Sequence, residues 1–250
     1  FYWQILSGEK MAAAADSQHF ATLEISARRG EILASDLTPL VTNQDAYLVF
    51  ANVKKFKNPV AEIINKIGTV SGNLNNPEAV WVPIKERVLK EEKDRIMAFN
   101  FAGIDYATES IRYYPEASSA AHLLGFVGLD ENSRPKGYFG LEGYYERELA
   151  GKTGSRQLEQ DAFGRPIALS AETETPAENG RTLVTSIDKT VQQITDNYLK
   201  KGIETWGASS GTIIVMDPIT GRILANSSFP AYDPAKYYDF PTGIYKNPAV

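Results

Sequence analysis

Apolar residues recur along the chain with two different periods, and each change of period marks an element. Residues 22–26 and 31–34 alternate as short strands on either side of Arg28-Arg29-Gly30, and 46–52, Ala-Tyr-Leu-Val-Phe-Ala-Asn, reads as a buried strand. A helical period then takes over. Asn58-Pro59 is a start signal, an N-cap followed by a proline whose missing N–H is harmless in a first turn, and Val60, Ile63, Ile64 and Ile67 share one stripe until Gly68. Asn76-Pro77 repeats the signal, and Pro83 predicts a helix that starts there and runs through Ile84, Val88 and Leu89. Residues 86–95 are dense in charge and predict a solvated helix face with Glu/Lys pairs.

Two further helices are predicted over 117–124 and 141–149, separated by the polar, turn-rich stretch 130–137 as a surface loop. After Gly151 the alternation returns, with strands over 156–161 and 166–170 around Phe163-Gly164-Arg165, then a polar linker over 171–180. A strand over 181–187 leads to Asp188, a helix N-cap ahead of Val191, Ile194, Tyr198 and Leu199, with the helix ending at Gly202. Strands over 211–217 and 222–227, joined by Pro218-Ile219-Thr220-Gly221, predict a hairpin. A helix followed by a tight hairpin opens a mixed-sheet domain, so the pattern predicts an α+β chain with a boundary near residue 178.

Composition narrows the function classes. The 250 residues exceed one ordinary core and suit two modules, and 43% hydrophobic with 23% charged residues is globular rather than disordered. With 26 Lys and Arg against 31 Asp and Glu, the net charge of −5 leaves no electrostatic footprint for a phosphate backbone, so no nucleic-acid partner is expected. The absence of cysteine excludes thiolate metal sites, disulfides and a thiol nucleophile. His19 and His122 lack partners at ligand spacing, so no metal and no cofactor is expected.

The first residues, Phe1-Tyr2-Trp3-Gln4-Ile5-Leu6, are far shorter than the roughly 20 apolar residues of a membrane span. Two readings stand: the stump of an N-terminal membrane anchor continued by a helix over 9–20, or the buried first turn of an ordinary helix. The loop chemistry of 237–243 predicts further sequence downstream.

Three short patterns invite a catalytic reading: Ser7-Gly8-Glu9-Lys10, Ser71-Gly72-Asn73 and Lys152-Thr153-Gly154 match the Ser-x-x-Lys, Ser-x-Asn and Lys-Thr-Gly set of penicillin-recognising serine acyltransferases. Ser-x-x-Lys recurs at Ser133 to Lys136 and Ser186 to Lys189, so the pattern is common in this composition, and none of the three serines opens a helix packed deep against a sheet. They are therefore read as decoys. Gly151-Lys152-Thr153 is not a phosphate loop, because Glu146 stands where the first glycine belongs.

Longer, ordered signals carry the resemblance. Arg29-Gly30-Glu31-Ile32 with Asn43, Arg112-Tyr113-Tyr114-Pro115, Ala120-Ala121-His122-Leu123-Leu124-Gly125, and Gly137-Tyr138-Phe139-Gly140-Leu141-Glu142 with Tyr145, Leu149, Gly151 and Gly154 together resemble the non-catalytic pedestal, or dimerisation domain, of class B penicillin-binding proteins. Asp161-Ala162-Phe163-Gly164-Arg165 resembles the turn that closes that pedestal. Residues 183–188 with Gln192, and 217–225 with Pro230, Tyr232, Asp233 and Pro234, look like the first elements of the transpeptidase domain. Two departures are visible: Ala34-Ser35-Asp36-Leu37 where the family reads Asp-Arg-Asn-Gly, and Asn247-Pro248-Ala249 where it reads Asn-Arg-Ala.

The resemblance implies a juxtamembrane helix over 1–20, an elongated pedestal of short strands and helices over 21–178, and an incomplete transpeptidase domain over 179–250. It implies a parent enzyme that cross-links peptidoglycan, membrane-anchored on the extracytoplasmic face, with cell-wall synthesis or division proteins as partners and a homodimer as one state. Residues 124–128 lean toward division. The chain itself is expected to be inactive. Arg29, Gly30, Arg112, Pro115, Gly140 and Glu142 are the structural motif: Arg to carboxylate bonds tie sequence-distant strands, and Gly30 and Gly140 permit close backbone approach. The same charges docking a partner is the functional alternative. Two other functions stand beside this one, a free-standing partner-binding module and a complete serine acyltransferase using Ser7, Ser71 and Lys152.

Overall fold

The longest strand among the described residues is β3 (Pro39–Asn52), and toward its end burial alternates, with Val49 and Ala51 fully buried and Phe50 between them only partly so. The computed structural model describes residues 20–53, 55, 60–68, 70–74, 81–159 and 173–249. These form two compact units, one drawn from Phe1–Leu40 and Glu116–Val250, the other Val41–Pro115.

In the unit Val41–Pro115, β3 is flanked by antiparallel β4 (Trp81–Val88) and β5 (Ile104–Tyr113). Helices α1 (Val60–Ile67) and α2 (Lys90–Ala98) bring Ile63, Ile67 and Ile96 onto Val49, Ala51, Val82, Ile84 and Val88, the core of this unit. The predicted stripe of α1 is split: Ile63 and Ile67 are buried, but Ile64 is exposed. The helix expected from Pro83 is strand β4 instead. Its Val82 and Ile84 are buried on one side, a period of two, and Pro83 is tolerated because β4 is the last strand of its sheet. The charged stretch belongs partly to β4 and partly to α2, whose first turn holds Glu91 and Glu92.

Among the described residues, the other unit holds three small sheets and a parallel pair. β1 (Phe20–Ile25) pairs antiparallel with β8 (Gly154–Glu159), which pairs with β9 (Thr173–Thr175) inside the stretch read as a linker. β2 (Ile32–Leu33) runs parallel to β10 (Leu183–Val184). β6 (Phe126–Leu129) and β7 (Pro135–Tyr138) form a hairpin, so the predicted loop contributes a strand. The helix predicted over 117–124 shrinks to α3 (Ala121–Leu124), because Ala117 and Ala120 adopt left-handed φ of 46° and 53°. That predicted over 141–149 divides at Tyr145 into α4 (Gly140–Tyr144) and α5 (Glu146–Leu149). The strand expected over 166–170 lies outside the described residues.

Asp188 caps α6 (Lys189–Trp206): its carboxylate accepts the N–H groups of Thr190 at 2.8 Å and Val191 at 3.0 Å. The helix continues past Gly202 to Gly207, whose left-handed φ ends it. It packs against the antiparallel hairpin of β11 (Gly211–Met216) and β12 (Ile223–Phe229), which forms as expected.

Candidate functional site

Arg29 leaves the segment between β1 and β2 and reaches two carboxylates. Its Nε donates to Glu142 Oε2 at 2.7 Å and its Nη2 to Glu146 Oε2 at 2.6 Å, with a further contact to the Glu142 carbonyl at 3.3 Å. The Glu142 side chain is wholly buried and that of Arg29 is 10% exposed. Glu142 lies in α4 and Glu146, four residues on, opens α5, so one helical turn presents both acids to the same guanidinium. The N–H of Gly137 donates to the same oxygen of Glu146 at 2.8 Å, which draws the end of β7 into the cluster. Burial pulls the Arg29 guanidinium down, but the charges of Glu142 and Glu146 and their hydrogen bonds outweigh it and hold it above its ordinary value.

Around this cluster the backbone runs very close. The N–H of Gly30 donates to the Leu149 carbonyl at 2.8 Å, and a Cβ at Gly30 would stand 1.9 Å from the Arg181 carbonyl oxygen, so only glycine fits. Gly140 has φ of 46°, and a Cβ there would meet the Leu123 carbonyl oxygen at 2.4 Å. Arg112 belongs to the unit Val41–Pro115: it faces Asn43 across β5 and β3, and its Nη1 donates to Asn43 Oδ1 at 2.9 Å. Pro115 follows β5 at the end of that unit. Arg29, Gly30, Gly140 and Glu142 belong to one unit, and Arg112 and Pro115 to the other.

Two features lay beyond the sequence reading. Phe126 stacks on Tyr237 with centroids 4.4 Å apart and on Tyr138 at 5.7 Å, and Tyr232 and Tyr245 meet its edge. Beside them His122 is buried, with Nε2 2.9 Å from the Ile244 carbonyl and its ring edge-on to Tyr232; burial lowers its pKa from the ordinary 6.5, opposed by that backbone bond. The second feature is polar. Gln192 on α6 accepts the Asn226 N–H at 2.8 Å and donates to the Asn226 carbonyl at 3.2 Å, to Ser227 Oγ at 2.9 Å and to Asp196 Oδ1 at 3.0 Å.

The serine patterns are occupied by structure. Ser186 Oγ donates to the Ile223 carbonyl at 2.7 Å, Lys189 pairs with Glu116 at 2.9 Å, and Lys152 pairs on the surface with Glu178 at 2.9 Å. The Ser71 N–H donates to the Ile84 carbonyl, and Ser133 sits in a turn at φ of 59°. Ser7, Lys10 and His19 lie outside the described residues. Among the described residues, no group of three His, Asp or Glu could hold a metal ion, and no helix is long and apolar enough to cross a membrane.

Comparison with known proteins gives these features a context. Residues 24–185 match the family model described as the penicillin-binding protein dimerisation domain. The chain is 30% identical to stage V sporulation protein D of Bacillus subtilis, over 98% of this chain and 38% of that protein. It is 25% identical to the peptidoglycan D,D-transpeptidase FtsI of Escherichia coli, over 99% of this chain and 43% of that one. It thus spans well under half the length of either relative. Among solved structures, Helicobacter pylori penicillin-binding protein PBP2, solved as a complex with MreC, superposes with a TM-score of 0.65 at 21% identity, over 92% of this chain and 48% of that one. Penicillin-binding protein 2X of Streptococcus thermophilus gives 0.63 at 20% identity, over 86% and 36%. These likenesses establish a shared mixed α+β fold, as the sequence predicts.

Proposed function

Since the chain belongs to the penicillin-binding protein dimerisation-domain family, we propose that it is the supporting part of a peptidoglycan-cross-linking transpeptidase and carries none of that enzyme's catalytic groups. In this reading residues 21–178 are the pedestal and 179–250 the first elements of the transpeptidase domain. The observation that carries it is the Arg29 cluster. Guanidinium and carboxylates are spent on holding β7, α4, α5 and the β1–β2 segment together, with Glu142 sealed from any substrate.

The parent protein sits at the extracytoplasmic face of the cell membrane through an anchor preceding the pedestal. Its partners are membrane proteins of cell-wall synthesis or division, and a homodimer is one of its states; likeness to a stage V sporulation protein, a peptidoglycan D,D-transpeptidase and a protein solved with MreC, together with a family named for dimerisation, supports this. Incubating the 250-residue chain with a fluorescent penicillin tests the central statement. No covalent band is expected on a denaturing gel, whereas a band abolished by competing unlabelled penicillin overturns the reading.

A further inference from the structure

Asp196 stands one turn after Gln192 on α6, and its two carboxylate oxygens face different parts of the chain. Oδ2 accepts the hydroxyl of Ser119 at 2.6 Å, and Oδ1 accepts the hydroxyl of Ser227 at 2.5 Å and the amide of Gln192 at 3.0 Å. One side chain therefore holds both the loop 116–120 and strand β12.

The loop is strained. Ala117 and Ala120 both carry left-handed φ, disfavoured for any residue with a Cβ, and such conformations persist only where the surroundings enforce them. Here the enforcing bonds are Ser119 to Asp196 and Glu116 to Lys189, both to α6. On the far side, Gln192 holds the N–H and the carbonyl of Asn226, the groups that a neighbouring strand would otherwise take.

We propose that Asp196 is a latch through which the strained loop 116–120 and strand β12 open together rather than separately. Losing the Ser119 bond strips Oδ2 of its half-buried partner. The carboxylate then turns toward water to recover hydrogen bonds, which frees Ser227 and removes the group that orients Gln192. The device thus sets the order of β12 according to the state of the loop.

Residue-resolved hydrogen exchange on the whole chain tests it. Ser119→Ala should speed exchange of the amides of residues 225–228 by about tenfold, the scale of one lost bond to a charged group, and Ser227→Ala should do the same to residues 117–121. The double variant should exchange no faster than either single variant. Ala120→Gly keeps every side-chain hydrogen bond of the latch and relieves the strain at the cost of one buried methyl group, and should slow exchange at residues 225–228 by roughly threefold. The proposal is overturned if Ser119→Ala affects only its own loop, if the two serine effects multiply, if exchange rises uniformly along the chain, or if Ala120→Gly leaves 225–228 unchanged. The glycine variant decides the matter should the serine variants fail to fold.

Discussion

The buried carboxylate of Glu142 accepts the Nε–H of Arg29 at 2.7 Å across 113 residues of sequence, joining the segment after β1 to the helix after β7. Replacing Glu142 by Ala leaves a guanidinium that is only 10% exposed with Glu146 as its remaining acid among these two. Breaking a buried pair from one side costs about 3–5 kcal/mol, and Glu146 keeps the loss near the lower figure. Calorimetry should show the melting midpoint fall by roughly 6–12 °C for a chain of this size. A fall under about 2 °C would return Glu142 to a minor role.

Gly30→Ala acts through shape alone. The new methyl group would stand 1.9 Å from a backbone oxygen of Arg181, which cannot rotate away. Urea unfolding should show a destabilisation of roughly 1–3 kcal/mol with an unaltered slope, because the exposed surface does not change. An unmoved midpoint would mean that the segment after β1 yields without penalty.

Capping supplies a smaller effect. Asp188→Ala removes the acceptor of two N–H groups of α6 and should cost about 1 kcal/mol, whereas Asp188→Ser restores most of it. Circular dichroism melts of the two variants check the difference.

Acid should weaken the protein through His122. Its folded pKa is lowered below the ordinary 6.5 by burial, so the unfolded chain binds the proton more readily. The stability this contributes is complete above pH 6.5 and is lost as the pH falls from there through the lower, folded value. In His122→Gln the slope of unfolding free energy against pH in that window should flatten. Titrating denaturation midpoints from pH 7.5 to about pH 4.5 measures it, and an identical slope in the variant would remove His122 from the account.

Local signals in the sequence translated well. Asp188 ahead of an apolar stripe, and Pro218 to Gly221 between two alternating runs, are decided within one or two turns of chain, and both elements form. Pro83 misled because Ile84 and Val88 satisfy a helical spacing, while the deciding fact, pairing of β4 with β3 at the edge of a sheet, is not local. The sequence pattern does not mark strand β5: most of its residues are exposed, so it carries no apolar alternation, and its strand pairing is with β3. Charged residues among glycines and aromatics at Arg29 and Glu142 are visible in the sequence. Glu146, four residues later, was the available clue to the full cluster, whereas nothing near Asp196 announces that Ser119 and Ser227 meet it.

The sequence separation of Arg29 and Glu142 also orders events during synthesis. At roughly 5–20 residues per second, the guanidinium waits about 6–23 s in the emerging chain before its acids are made. Until then Arg29 lacks its acids, β1 lacks its strand partner β8 and β2 lacks β10, both strands lying still further downstream. The segment around Arg29 is thus among the later parts of the chain to be fixed, although it is made early.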